Sequence, residues 1–110
     1  MTPKRGQIWW INLDPTVGSE IKKQRPCVVL SHDTVNRLRR TPVVVPLSHS
    51  AKDSPPVIVT MPSAGPDSVA VVDQLRAVDK QRFVRAKGFL SPDDLEALEQ
   101  AVSRVLALQR

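Results

Sequence analysis

The sequence predicts a compact, mainly β fold, a small barrel with one C-terminal α-helix packed on it, and three observations carry that reading. Several short apolar runs recur along the chain with turn-forming residues between them. Ten prolines punctuate the connections, densest in Ser54-Pro55-Pro56 and again around Pro62 and Pro66. The last segment alone carries a helical period behind a strong start signal. At 110 residues the chain reads as one domain, 1–110, and a chain of that size buries roughly two-thirds of its unfolded surface. Cys27 is the only cysteine, so no internal disulfide is expected.

The first strand is expected at 7–13. Alternation puts Ile8, Trp10 and Asn12 on one face and Trp9, Ile11 and Leu13 on the other. Both faces are largely apolar, so this strand is either sandwiched inside the fold or half covered by a partner subunit. The next strand, 26–31, opens on Pro26, which has no N–H for a ladder and biases Arg25 towards extended backbone. Arg25 thus stands at a strand entrance, a fixed positive charge at a rim. Residues 32–40 fit a short helical turn bearing Arg37, Arg39 and Arg40. The strand at 43–48 is built like 26–31 but ends on the hydroxyl of Ser48. Further strands are expected at 57–60, 68–72 and 83–89. In the last of these, Phe83, Arg85, Lys87 and Phe89 fall on one face, which reads as an edge strand or a surface on which bases stack. Ser91 then suits an N-cap, Pro92 the first helical position, and Asp93 and Asp94 the positive end of the helix dipole. Leu95, Leu98, Val102, Val105 and Leu106 form the buried stripe of that helix.

The formal net charge is +5 and unevenly spread: residues 1–90 carry 14 Lys and Arg against 7 Asp and Glu, residues 91–110 only 2 against 4. That imbalance favours a polyanionic partner through counterion release. The connection 14–24 is long and polar, and loops of that length are often functional. Its Gly18, Ser19, Glu20, Lys22 and Lys23, followed by Arg25, place cations, a carboxylate and a flexible backbone together. Residues 73–82 mix an amide, cations and acids, including Gln74 and Arg76. They read either as a solvated turn with local ion pairs or as a wall that contacts bases and phosphates. If the strands at 26–31 and 43–48 are neighbours, the Arg25 guanidinium and the Ser48 hydroxyl can meet over one phosphate.

The other chemical candidates are weaker. His32 and His49 read as turn or surface histidines, His49 being the better placed for proton transfer because it follows Ser48. Cys27, inside an apolar run, reads as a buried structural thiol. No cluster has metal-ligand spacing and no glycine-rich phosphate loop occurs, so no metal and no cofactor are expected. No apolar run approaches a membrane span and no signal peptide is recognised, so the expected compartment is the cytoplasm.

Lys4-Arg5-Gly6-Gln7-Ile8-Trp9-Trp10, Asp14-Pro15-Thr16-Val17-Gly18-Ser19-Glu20, Arg25-Pro26 and Asp73-Gln74-Leu75-Arg76 together resemble the MazF/PemK family of toxin endoribonucleases, over nearly the whole chain. The resemblance implies an SH3-like barrel of the PemK/CcdB kind with a C-terminal helix, a homodimer, metal-independent and sequence-specific cleavage of single-stranded RNA, and inhibition by a cognate antitoxin protein. It places the family's catalytic arginine on Arg25 and its catalytic hydroxyl, usually threonine, on Ser48. Glu20 matches an acidic position in the family's first long loop and is the third catalytic candidate. Ser19, Lys22, Lys23, Gln74 and Arg76 are the candidates for RNA contacts. RNA supplies its own nucleophile, the 2′-hydroxyl, so such a site needs charge stabilisation and proton handling rather than a covalent residue. Glu20, His49 and water each remain open as the acceptor of the 2′ proton. The rival readings are a non-enzymatic gyrase-binding toxin resembling the CcdB family and a simple RNA-binding barrel.

Overall fold

The structure, a computed structural model, describes residues 1–108. Seven strands and two helices follow in the order β1 (Gln7–Asn12), β2 (Gln24–Val29), α1 (Asp33–Leu38), β3 (Val43–Ser48), β4 (Ile58–Thr60), β5 (Val69–Val71), β6 (Arg76–Ala77), β7 (Phe83–Phe89) and α2 (Pro92–Val105). Every strand pairing is antiparallel, along the path β4-β5-β3-β2-β1-β7, with β6 paired to β3 beside β5. The fold is therefore mainly β with a C-terminal helix, as the sequence predicts. Among the described residues no ladder joins β7 back to β4 or β6, so the hydrogen-bonded path stays open. No helix among them is long and apolar enough to cross a membrane.

The alternation of β1 resolves into two cores, one on each face of the sheet. Ile8 joins Val28, Val45, Leu47 and Val72 beneath Leu98, Ala101 and Val102 of α2. On the opposite face Trp9, Ile11 and Leu13 pack with Cys27, Val29, Val44, Val78 and Phe83, and the rings of Trp9 and Phe83 meet edge to face at 5.6 Å. The strand is thus sandwiched within the chain. Trp10 is the exception: it is half-buried, with the Arg85 guanidinium and Lys87 ammonium 5.2 and 5.3 Å from its ring centre.

Two expectations are corrected. Residues Phe83 to Phe89 do not keep one alternation, because the β1–β7 ladder shifts register twice, between Ile8 and Trp9 and between Trp10 and Ile11. Each extra residue flips the side chains beyond it. Phe83 therefore turns into the core while Arg85 stands over Trp10. Leu106 is not part of the buried stripe: α2 ends at Val105, and Leu106 is its exposed C-cap. The start of α2 matches the sequence signal, with the Ser91 Oγ accepting from the Asp94 N–H at 3.1 Å.

Candidate active site

The geometry of the site begins with two prolines. The Leu30 N–H donates to the Val43 carbonyl at 2.9 Å, so residues 30 and 43 form a hydrogen-bonded pair, and alternation makes 28/45 and 26/47 the next two. Pro26 has no N–H to give Leu47, and the β2–β3 ladder accordingly stops at Cys27↔Pro46. Carrying the same register two residues further sets Arg25 opposite Ser48, on the sheet face they share with Cys27 and Pro46. Pro26 thus withholds one of the two bonds that would close the strands beside that point. Arg25 pairs on its other side with Ile11 of β1. Its Nε donates to the Lys22 carbonyl at 3.2 Å, and neither Nη has a partner among the described residues. The Ser48 Oγ accepts from the Ser50 N–H at 3.2 Å and lies 3.4 Å from the Ser50 Oγ, a contact in which either hydroxyl can donate.

Pro46 makes a second opening. Its nitrogen faces away from β2, towards the side where β6 has ended at Val44↔Arg76 and β5 begins only at Leu47↔Ala70. The chain crosses that gap through a 3₁₀ turn, Val72–Gln74. A groove of about 470 Å³ lies there. Leu13, Ser19, Glu20 and Ile21 line it from the β1–β2 connection, and Asp73, Gln74, Leu75 and Arg76 from the turn and β6, with Pro46 between.

The structure thus gathers Ser19, Glu20, Gln74 and Arg76 at one groove, and Arg25 and Ser48 at one register position on the face to which Leu13, Ile21 and Pro46 also belong. Lys22 and Lys23 are exposed on the connection and do not line the groove. Lys23 holds a left-handed backbone (φ 68°), and its carbonyl accepts from the Leu13 N–H at 3.0 Å, closing the neck of the loop. The Glu20 carboxylate accepts from the Val17 N–H at 2.6 Å across the turn at Gly18, whose φ of 59° suits glycine. Arg76 Nη1 donates to the Leu13 carbonyl at 3.3 Å. The Cys27 thiol is buried, and that burial pushes it up to about 12, against the opposing pull of the Arg76 charge. A thiol so held is protonated and no nucleophile. His32 caps α1, its Nδ1 accepting from the Thr34 N–H, whereas His49 is exposed. Among the described residues no three His, Cys, Asp or Glu side chains cluster as metal ligands.

The sequence pattern of PemK-like, MazF-like toxins of type II toxin-antitoxin systems matches residues 4–106. The chain belongs to that family. The endoribonuclease MazF9 of Mycobacterium tuberculosis is 38% identical over 114 aligned positions, covering 96% of this chain and 97% of the relative. Among solved structures, MazF from Deinococcus radiodurans superimposes with a TM-score of 0.87 at 27% identity, covering 97% and 98% of the two chains. A mycobacterial endoribonuclease solved in complex with its cognate antitoxin shares the fold, with a TM-score of 0.80 at 21% identity and coverage of 98% of both chains. Within this MazF-like toxin, five groove residues escaped sequence reading as site residues: Leu13, Ile21, Asp73, Leu75 and Pro46. A proline inside a central strand marks a missing ladder donor, so Pro46 did carry a signal. The others are brought in only by the tertiary fold.

Proposed function

We propose that this MazF-like toxin endoribonuclease cuts single-stranded RNA, sequence-specifically and without a metal, by attack of a 2′-hydroxyl on its own 3′-phosphate. The observation that carries this reading is the shared register of Arg25 and Ser48 past the end of the β2–β3 ladder, with both Arg25 Nη groups turned to no partner among the described residues. The guanidinium donates to the non-bridging phosphate oxygens, whose charge grows in the transition state, and the Ser48 hydroxyl donates a further bond. Glu20 takes the 2′ proton, a role supported by its place in the groove, which His49 does not line. The O2′–P bond forms, the P–O5′ bond breaks, and solvent protonates the leaving oxygen. The products are a 2′,3′-cyclic phosphate and a 5′-hydroxyl. Membership of the MazF-like family, whose relatives named here are endoribonucleases, favours this over the gyrase-binding reading.

Ser19, Gln74 and Arg76 would flank the bound strand, and the exposed Lys22 and Lys23 would attract its phosphates. An acidic segment of a cognate antitoxin would compete for the same cations, in keeping with the antitoxin complex of the mycobacterial relative. The toxin would act in the cytoplasm as a homodimer. The apolar faces of β1 no longer support self-association, since all but Trp10 are covered within the chain. Self-association rests on the likeness to the MazF-like family. Purified protein incubated with a mixed-sequence RNA in EDTA tests the reaction. Discrete fragments with cyclic phosphate ends, lost when the nucleotide 5′ of the cut lacks its 2′-hydroxyl, are the expected result. Cutting of the 2′-deoxy substrate at the same rate would refute the mechanism.

A further inference from the structure

The connection between β1 and β2 is held at its neck and by Ile21, which packs on the second core, but it is sparsely hydrogen-bonded along its length. Arg76 and Arg82 pin the carbonyls of Leu13 and of Asn12 and Asp14, and the Leu13 N–H closes on Lys23. Between them, two bonds alone tie residues 15–23 to any part of the described chain outside β1, β2 and their connection, and Gln74 makes both. Its Oε1 accepts from the Ile21 N–H at 2.7 Å, and its Nε2 donates to the Ser19 carbonyl at 3.5 Å. The carboxamide sits on rigid backbone: Val72, two residues before it, is fully buried, donates to the Val57 carbonyl at 2.8 Å and accepts from the Leu75 N–H at 3.2 Å. The next residue after Ile21 is Lys22, whose carbonyl receives the Arg25 Nε.

We propose that Gln74 is a positioning residue: its carboxamide latches residues 19–21 and so holds the Lys22 carbonyl where it orients the Arg25 guanidinium. This rests on the ribonuclease reading and changes Gln74 from an RNA contact into a support of the reacting group. The two roles separate kinetically. A lost RNA contact weakens substrate binding, whereas a misoriented guanidinium slows the bound complex, because placement of a reacting group acts on the chemical step.

Amide hydrogen exchange on the full chain, with kcat and KM on one single-stranded RNA, distinguishes them in Gln74→Met and Gln74→Glu. Gln74→Met, which keeps the length and removes both bonds, should speed exchange of the Ile21 amide about tenfold or more while the core amides of Val28, Val45 and Leu98 stay unchanged. It should lower kcat about tenfold and leave KM within about threefold. Gln74→Glu keeps an acceptor for the Ile21 N–H, so Ile21 protection and most of kcat should return. An Ile21 amide as protected in Gln74→Met as in the wild type would overturn the latch, and a raised KM with unchanged kcat would overturn it in favour of direct contact. If the wild type cleaves no RNA, the ribonuclease reading fails and the exchange result alone decides the latch.

Discussion

Arg25 and Pro26 are consecutive and act in opposite ways, one supplying donors and the other withholding one. The missing Pro26 N–H ends the β2–β3 ladder at Cys27↔Pro46, and the same register carried two residues further sets Arg25 opposite Ser48. This much was legible in sequence, because a proline behind a charge and a hydroxyl ending the sister strand are local signals. Gln74 was not: its partners Ser19 and Ile21 lie more than fifty positions away, and no local pattern announces such a bond. Arg25→Ala should cost on the order of a hundredfold in kcat, by analogy with loss of an oxyanion donor. Ser48→Thr should keep activity, since the hydroxyl remains, while Ser48→Ala should lower kcat with RNA affinity largely kept. Cys27 gives a pH prediction. Burial raises its thiol from 9.0 to about 12, so the folded chain keeps a proton that the unfolded chain releases above pH 9.0. Its contribution to stability should therefore fall as pH rises from about 9 towards 12, and in native protein at pH 8 it should resist a thiol reagent that labels it in denaturant. Prompt native labelling would contradict its burial.

At the scale of elements, α2 was the most legible because each of its signals is local: the Ser91 cap, Pro92 at the first position, acids in the first turn and a buried stripe. Ser91→Ala should cost about 1 kcal/mol, and Leu98→Ala about 2–5 kcal/mol because that side chain is fully enclosed beneath the sheet. Urea unfolding checks both, and equal losses would contradict the difference in burial. The strands β1 to β5 and β7 were foreseen within two residues at each end by their apolar runs. The two-residue β6 was not, since Arg76–Ala77 has no alternation to read and pairs only because β3 presents an edge there. The bulges of β7 were hidden for a related reason. They depend on how β1 meets it, and a period-2 pattern is blind to a shift imposed by the partner strand.

Over the whole molecule, topology makes the groove, and the basic excess lies largely outside its lining. The groove's existence follows from β3 changing partners from β6 to β5 across Pro46, a non-local event that composition and periodicity do not encode. The basic excess of residues 1–90 was visible at once, and it predicts that RNA affinity falls with salt, with a logarithmic slope of roughly 0.7 per neutralised phosphate. Equal affinity at low and high salt would contradict neutralisation of phosphates by the chain's cations. Self-association predicts twice the 12.2 kDa chain mass by sedimentation at micromolar concentration, and a clean monomer would contradict it. The central claim is that register brings Arg25 and Ser48 onto one phosphate, and a double-mutant cycle on kcat tests it most directly. Groups that serve one transition state are non-additive, so Arg25→Ala with Ser48→Ala together should be little slower than Arg25→Ala alone, a coupling of about 0.5–3 kcal/mol. Losses that simply multiply, or full activity in either single variant, would contradict it.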